Sequence, residues 1–183
     1  GEPLRFGVPL LQGAVDNVGK LQLANTDSEL LPTQCKPLSH WPDGSVRWVC
    51  VETILPVADK PLADLTLAEG PPKSQNSAII SEDEDRLQVG YGDYQLTVSP
   101  ASLNWQWTGP DHQSFSSRLR LDDQDNEICL AKLDEHWQIK STGPVVTVLE
   151  AAGWSNDSQN ERLARFRCEL NFYANGLVTA EAA

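Results

Sequence analysis

The chain has 183 residues, 40% of them hydrophobic, so it can bury the core of one large domain or two small ones, and disorder is not the default reading. A formal net charge of −12, with 14 Lys and Arg against 26 Asp and Glu, argues against a nucleic-acid partner, because affinity for a phosphate backbone comes largely from clustered basic groups. No apolar run approaches the ~20 residues that a membrane-spanning helix needs.

The N-terminal run GEPLRFGVPLL carries no basic segment ahead of a long apolar core, and the sequence contains no Met. A processed or excised chain is expected, placed outside the cytoplasm or in the periplasm after signal removal, with a cytoplasmic location left open. A short apolar run at residues 21–23 precedes the most informative stretch, QCKPLSHWPDGSVRWVCVE at residues 34–52. Pro42 presets the first corner of a type I turn, Asp43 suits the second, and Gly44 can take the positive φ that follows. The stretch reads as a β-hairpin, with Trp41, Pro42, Asp43, Gly44 and Trp48 as its structural motif. Pairing Trp41 with Ser45 sets Val46 opposite His40, Trp48 opposite Leu38 and Cys50 opposite Lys36, and sends Arg47, Val49 and Val51 to the other face. The Ser45 hydroxyl is expected to be exposed. Cys35 faces Val51, so its thiol and that of Cys50 point apart. With no CxxC or Cys/His spacing in sight, Cys35, Cys50, Cys129 and Cys168 are read as reduced and buried, and no metal is expected.

Further strand-like runs follow at residues 46–55, 62–67, 88–98, 103–108, 115–121, 128–133, 145–150 and 164–173. Short runs of alternating or apolar residues separated by turns indicate an all-β barrel or sandwich, and no helical period is sustained. Residues 160–165 are assigned at most one helical turn. Residues 68–85, AEGPPKSQNSAIISEDED, combine a Pro/Gly/Ser-rich stretch with Glu82, Asp83, Glu84 and Asp85 and read as a solvated linker, since the acidic cluster lacks the alternating spacing and glycine of a calcium loop. In LNWQWTG, Trp105 and Trp107 alternate with Asn104 and Gln106, which puts both indoles on one face and both amides on the other. The indoles can stack on sugar rings or plug a core. Trp137 and Trp154 lie beside polar, loop-like sequence, and exposure is expected of both. Acid and base candidates (His40, His112, His136, Tyr91, Tyr94 and the Glu135-His136 pair) are scattered, and no G-x-S-x-G elbow occurs. An acidic polysaccharide would need Arg118, Arg120, Arg162, Arg165 and Arg167 gathered on one face.

Four segments in order, FGVPLLQGAV at 6–15, LQLANTDSELLPTQ at 21–34, HWPDGSVRWV at 40–49 and LTLAEGPP at 65–72, resemble the N-terminal RIFT-type barrel domain of the exo-rhamnogalacturonan lyase-like (PcRGLX/YetA-like) proteins. More loosely, GDYQLTV at 92–98, GPVVTVLEAAG at 143–153 and FRCELNFYA at 166–174 resemble the β-sandwich segment that follows it in that family. In such lyases the catalytic work is assigned to a downstream helical domain, to which nothing in these residues corresponds. The resemblance implies a barrel over residues 1–75 and a β-sandwich-like segment over residues 76–183. It implies a non-catalytic accessory region of a polysaccharide-lyase-like protein, without a cofactor, whose partners are a polysaccharide or a downstream catalytic domain. Two other readings stay open. One is an independent carbohydrate-binding module using Trp105, Trp107 and Trp154; the other is a protein-interaction or assembly domain, which exposed β edges would permit.

Overall fold

A computed structural model of the chain describes residues 1–57, 64–70, 77–118, 130–157 and 160–183. Arg120, Cys129 and the side chain of His112 lie outside that description. The described residues form fifteen strands and two short 3-10 turns. They divide into two compact units, Gly1–Ser77 with Gly143–Val145, and Ala78–Thr142 with Val146–Ala183.

The first unit holds β1 (Glu2–Pro9), β2 (Leu21–Ala24), β3 (Leu30–Leu31), β4 (Thr33–His40), β5 (Val46–Leu55) and β6 (Thr66–Glu69). They make two antiparallel three-stranded sheets, in the orders β1-β5-β4 and β3-β2-β6. Alternation along β1 turns Phe6 and Val8 inward, while Arg5, Gly7 and Pro9 face out. Both sheets feed one core of Leu21, Leu23, Leu31, Val46, Val49 and Val51, closed by Val15 from the loop after β1. Buried Thr53 satisfies its hydroxyl on the Pro32 carbonyl at 2.6 Å.

The hairpin turn forms as the local chemistry dictates. Gly44 sits at φ +89° and donates its N–H to the Trp41 carbonyl at 2.9 Å, and Trp41 N–H donates to the Ser45 carbonyl at 2.8 Å. The expected register fails beyond it. Trp48 pairs with Ser39, not with Leu38, although His40 pairs with Val46 and Lys36 with Cys50 as expected. Two compensating bulges account for this, one leaving Arg47 extra on β5 and the other Leu38 extra on β4. Pro37 has no N–H for the ladder and lies on an edge strand, where a bulge is tolerated, and the Arg47 carbonyl is taken instead by Leu10 N–H at 2.9 Å. The bulge on β5 reverses the phase of that strand. Val46 therefore shares the core with Val49 and Val51 and does not oppose them, and Trp48 turns outward with 41% of its surface exposed.

The second unit is built from two meanders. β7 (Ile79–Glu82), β8 (Leu87–Tyr91), β9 (Tyr94–Val98), β10 (Asn104–Thr108) and β11 (Ser114–Arg118) form a five-stranded sheet in sequence order. β12 (Leu130–Ser141), β13 (Val146–Asn156), β14 (Arg162–Tyr173) and β15 (Val178–Ala182) form a four-stranded one. Leu87, Val89, Leu96 and Val98 of the first sheet and Leu149, Phe166, Leu170 and Phe172 of the second bury one another in a common core. The arrangement is a β-sandwich. Tyr91 reaches across it to place its hydroxyl 2.8 Å from Thr147 Oγ1, so this buried polar tip is satisfied. The β14–β15 turn needs a glycine twice over, because Gly176 has φ +84° and a Cβ there would fall 2.4 Å from the Tyr94 ring.

Three expectations are corrected in this unit. Residues 79–82 are not linker but the edge strand β7, and the acidic cluster is the tip of the β7–β8 hairpin. There the Asp83 carboxylate accepts from the N–H groups of Asp85 and Arg86, each at 2.9 Å. Residues 160–165 make no helical turn: Arg162 already begins β14, and Asn160 at φ +65° donates to the Asp157 carbonyl to close the β13–β14 connection. Trp137 is 3% exposed, because β12 continues through the polar Glu135-His136 pair and turns the indole into the core, its N–H on the Ser102 carbonyl at 2.7 Å.

Candidate functional site

The hairpin tip is a polar knot. Asp43 Oδ1 accepts from Ser45 N–H at 3.0 Å and from the Ser45 hydroxyl at 2.6 Å, while Ser45 Oγ accepts Gly13 N–H at 2.9 Å. Ser45 is 2% exposed, which corrects the expectation of a solvated hydroxyl. Its bonds, with Trp41 Nε1 on the Leu10 carbonyl at 3.1 Å and Val46 N–H on the Val15 carbonyl at 2.8 Å, tie the loop of residues 10–15 to the hairpin. The side-chain hydroxyl of Ser45, then its N–H, hold the Asp43 carboxyl below the usual carboxylate range. Arg47 covers the Trp41 ring at 4.8 Å, so Trp41 and Asp43 both have structural partners here, while Trp48 lies open beside Gly7.

Trp105 and Trp107 pair with Val98 and Leu96, both fully buried, and pack against the sandwich core. Trp107 is anchored on several sides. Its N–H donates to the Gly176 carbonyl at 2.8 Å, its ring stacks on Phe115 at 5.1 Å and 23°, and Tyr94 lies 6.1 Å away. Trp154, on the outer face of the four-stranded sheet, donates its N–H to Asp134 at 3.0 Å and carries the guanidinium groups of Arg162 and Arg165 at 4.9 and 5.8 Å from its ring centre. Arg165 is itself paired with Asp134 and Glu135, and Arg167 with Glu150 at 3.7 Å, so these arginines belong to a lattice of surface ions.

The titratable candidates stay scattered. His40 and His136 are exposed singly, Tyr91 is spent on Thr147, and among the described residues no three His, Cys, Asp or Glu side chains could share a metal ion. Cys35, Cys50 and Cys168 are free thiols. Burial pushes Cys35 and Cys168 up to about 11, with the neighbouring Cys50 adding to the effect on Cys35, so both stay protonated and unreactive at neutral pH.

The amides that alternate with the two tryptophans occupy the opposite face. Asn104 and Gln106, with Thr97, Ser99, Ser116 and Arg118, line an open groove of about 560 Å³, to which Trp105 and Ser117 also contribute. Sequence reasoning gave the binding role to the tryptophans of β10, placed Asn104 and Gln106 on the other face without a role, and named Arg118 only among the arginines that an acidic polysaccharide would need. The signal was the same alternation, read for its other half.

Residues 2–63 match the family model of the PcRGLX-like N-terminal RIFT barrel domain. Over 93 residues the chain is 25% identical to a protein of Bacillus subtilis (strain 168) named "Uncharacterized protein YetA". The match covers 51% of this chain and 11% of that relative, so the matched part of the chain spans about a tenth of that protein's length.

Proposed function

We propose that this chain is a non-catalytic accessory region of a polysaccharide-lyase-like protein, with a barrel domain over residues 1–75 and a sandwich domain over residues 76–183, and that the barrel braces or docks a catalytic domain. The observation that carries this reading is the match of residues 2–63 to an N-terminal barrel domain. Chemistry supports it: β-elimination needs a base beside the α-proton of a uronate and a cation on its carboxylate, positioned together. His40 and His136 stand as exposed single groups, and Arg165 and Arg167 already neutralise carboxylates of this chain.

The purified chain is expected to release no unsaturated product absorbing in the ultraviolet from pectic or other uronate polysaccharides. Appearance of that product, with a rate proportional to the chain's concentration, would overturn the reading.

A further inference from the structure

The outer face of the five-stranded sheet differs in chemistry from the outer face of its partner sheet. One row of side chains crosses all five strands: Ser81 pairs with Gln88, Gln88 with Thr97, Thr97 with Gln106, and Gln106 with Ser116. Two residues along, Gly90, Gln95, Thr108 and Ser114 form a second row that ends at Ile79 on the β7 edge. Strand alternation puts both rows on the face opposite buried Val89, Leu96 and Val98. Neither row contains a charged residue, in a chain with 26 acidic ones. A mere solvent face of this protein looks otherwise: the four-stranded sheet carries Lys140–Glu150, Arg167–Glu150 and Arg165–Asp134 ion pairs on its outer side. In these two rows hydroxyls and amides replace ions, and the charges nearby, Arg118 and the Asp83–Arg86 pair, lie beyond them in the next row.

That replacement selects a ligand class. A nucleic acid needs several cations, and the groove offers only Arg118. A protein partner would seat aromatic and aliphatic anchors, and both rows are polar apart from the terminal Ile79. Hydroxyl and amide groups each donate and accept, and they lose little on desolvation compared with ions, which suits a chain of neutral sugars whose hydroxyls do the same. Five strands span roughly 19 Å from first to last, and the row repeats at each strand, as a ligand of regular repeat requires. Arg118, at the end of the groove, carries a planar fork that can donate to two neighbouring hydroxyls.

We propose that this face binds a neutral glycan chain laid across the strands, with Gln106 at its centre and Arg118 at one end. The site goes beyond the accessory role and leaves Trp107 out of ligand contact. The test is affinity electrophoresis of the full chain through gels containing xyloglucan, galactomannan or a mixed-linkage β-glucan, with polygalacturonate as the charged arm. At least one neutral polysaccharide should retard it, with no dependence on salt. Gln106→Ala and Arg118→Ala should each weaken binding about tenfold or more, as expected when one or two hydrogen bonds are lost, with unfolding curves unchanged. Lys132→Ala, on the other sheet, should bind like the parent. Failure of all three neutral polymers overturns the proposal, as does retardation that survives Gln106→Ala, or retardation confined to polygalacturonate and abolished by salt. None of those outcomes touches the accessory reading, which the ultraviolet assay tests separately.

Discussion

Replacing Trp107 with Ala removes the side chain that joins β10 to β11 and to the β14–β15 turn. Three contributions can be read from the geometry. The stacked Phe115 ring at 5.1 Å is worth about 0.5 to 1.5 kcal/mol beyond its area. The hydrogen bond to the Gly176 carbonyl contributes about 1 kcal/mol net. The indole that fills the space beside Gly109 and the core leaves a void whose cost brings a fully buried Trp→Ala to about 3 to 5 kcal/mol. Because Trp107 is only partly buried, the lower end applies, about 3 kcal/mol. In urea that moves the midpoint of the second unit down by roughly 1 to 3 M. Trp107→Phe keeps the stacking and loses the N–H bond, so it should fall by about 1 to 1.5 kcal/mol and stay folded even if the alanine variant does not. Circular dichroism and tryptophan emission over a urea series read both, without assuming that the two units unfold together. An alanine variant within about 0.5 kcal/mol of the parent would refute the packing argument.

In the hairpin, Gly44→Val forces a β-branched residue to φ +89° and should cost on the order of 1 to 2 kcal/mol, while Ser45→Ala, with two side-chain bonds to lose, should cost a comparable amount and not the few tenths of an exposed serine. Melting of the two variants side by side decides it, and a Ser45→Ala protein that melts with the parent would contradict the knot. Cys35 and Cys168 have thiols raised in the fold from the ordinary 9.0 to about 11, so the stability they contribute is full below pH 9 and is lost as pH rises toward about 11, where the unfolded chain has already ionised. Urea midpoints at pH 8 and pH 10.5 should therefore fall further in the parent than in a Cys35→Ala, Cys168→Ala double variant. Equal falls would show that the two thiols do not contribute.

Much of the first unit was legible because its signals are local. Pro42 and Gly44 carry their backbone preferences with them, and so the turn and the reading of an all-β chain required no knowledge of neighbours. Where a side chain points is a different kind of fact. A single bulge at Arg47 reverses the face of every residue beyond it, so Trp48 ends in water and Val49 beside Val46 in the core, and that bulge arises from what β4 and the Leu10 loop can offer as hydrogen-bond partners. Trp137 follows the same logic, since polar neighbours in sequence say little once β12 has a second sheet to pack against. The neutral row from Ser81 to Ser116 is the furthest from legibility. Its members lie on five separate strands, each an unremarkable Ser, Thr or Gln, and only the pairing register of the folded sheet brings them into one line. Sequence alone determined the all-β class, most of the longer strands and the tight turn, because these depend on backbone chemistry within a few residues, whereas β1, β7 and β15 were not read from it. The tertiary structure decided the faces, the buried indoles and the groove, because burial and register are set by partners that are distant along the chain.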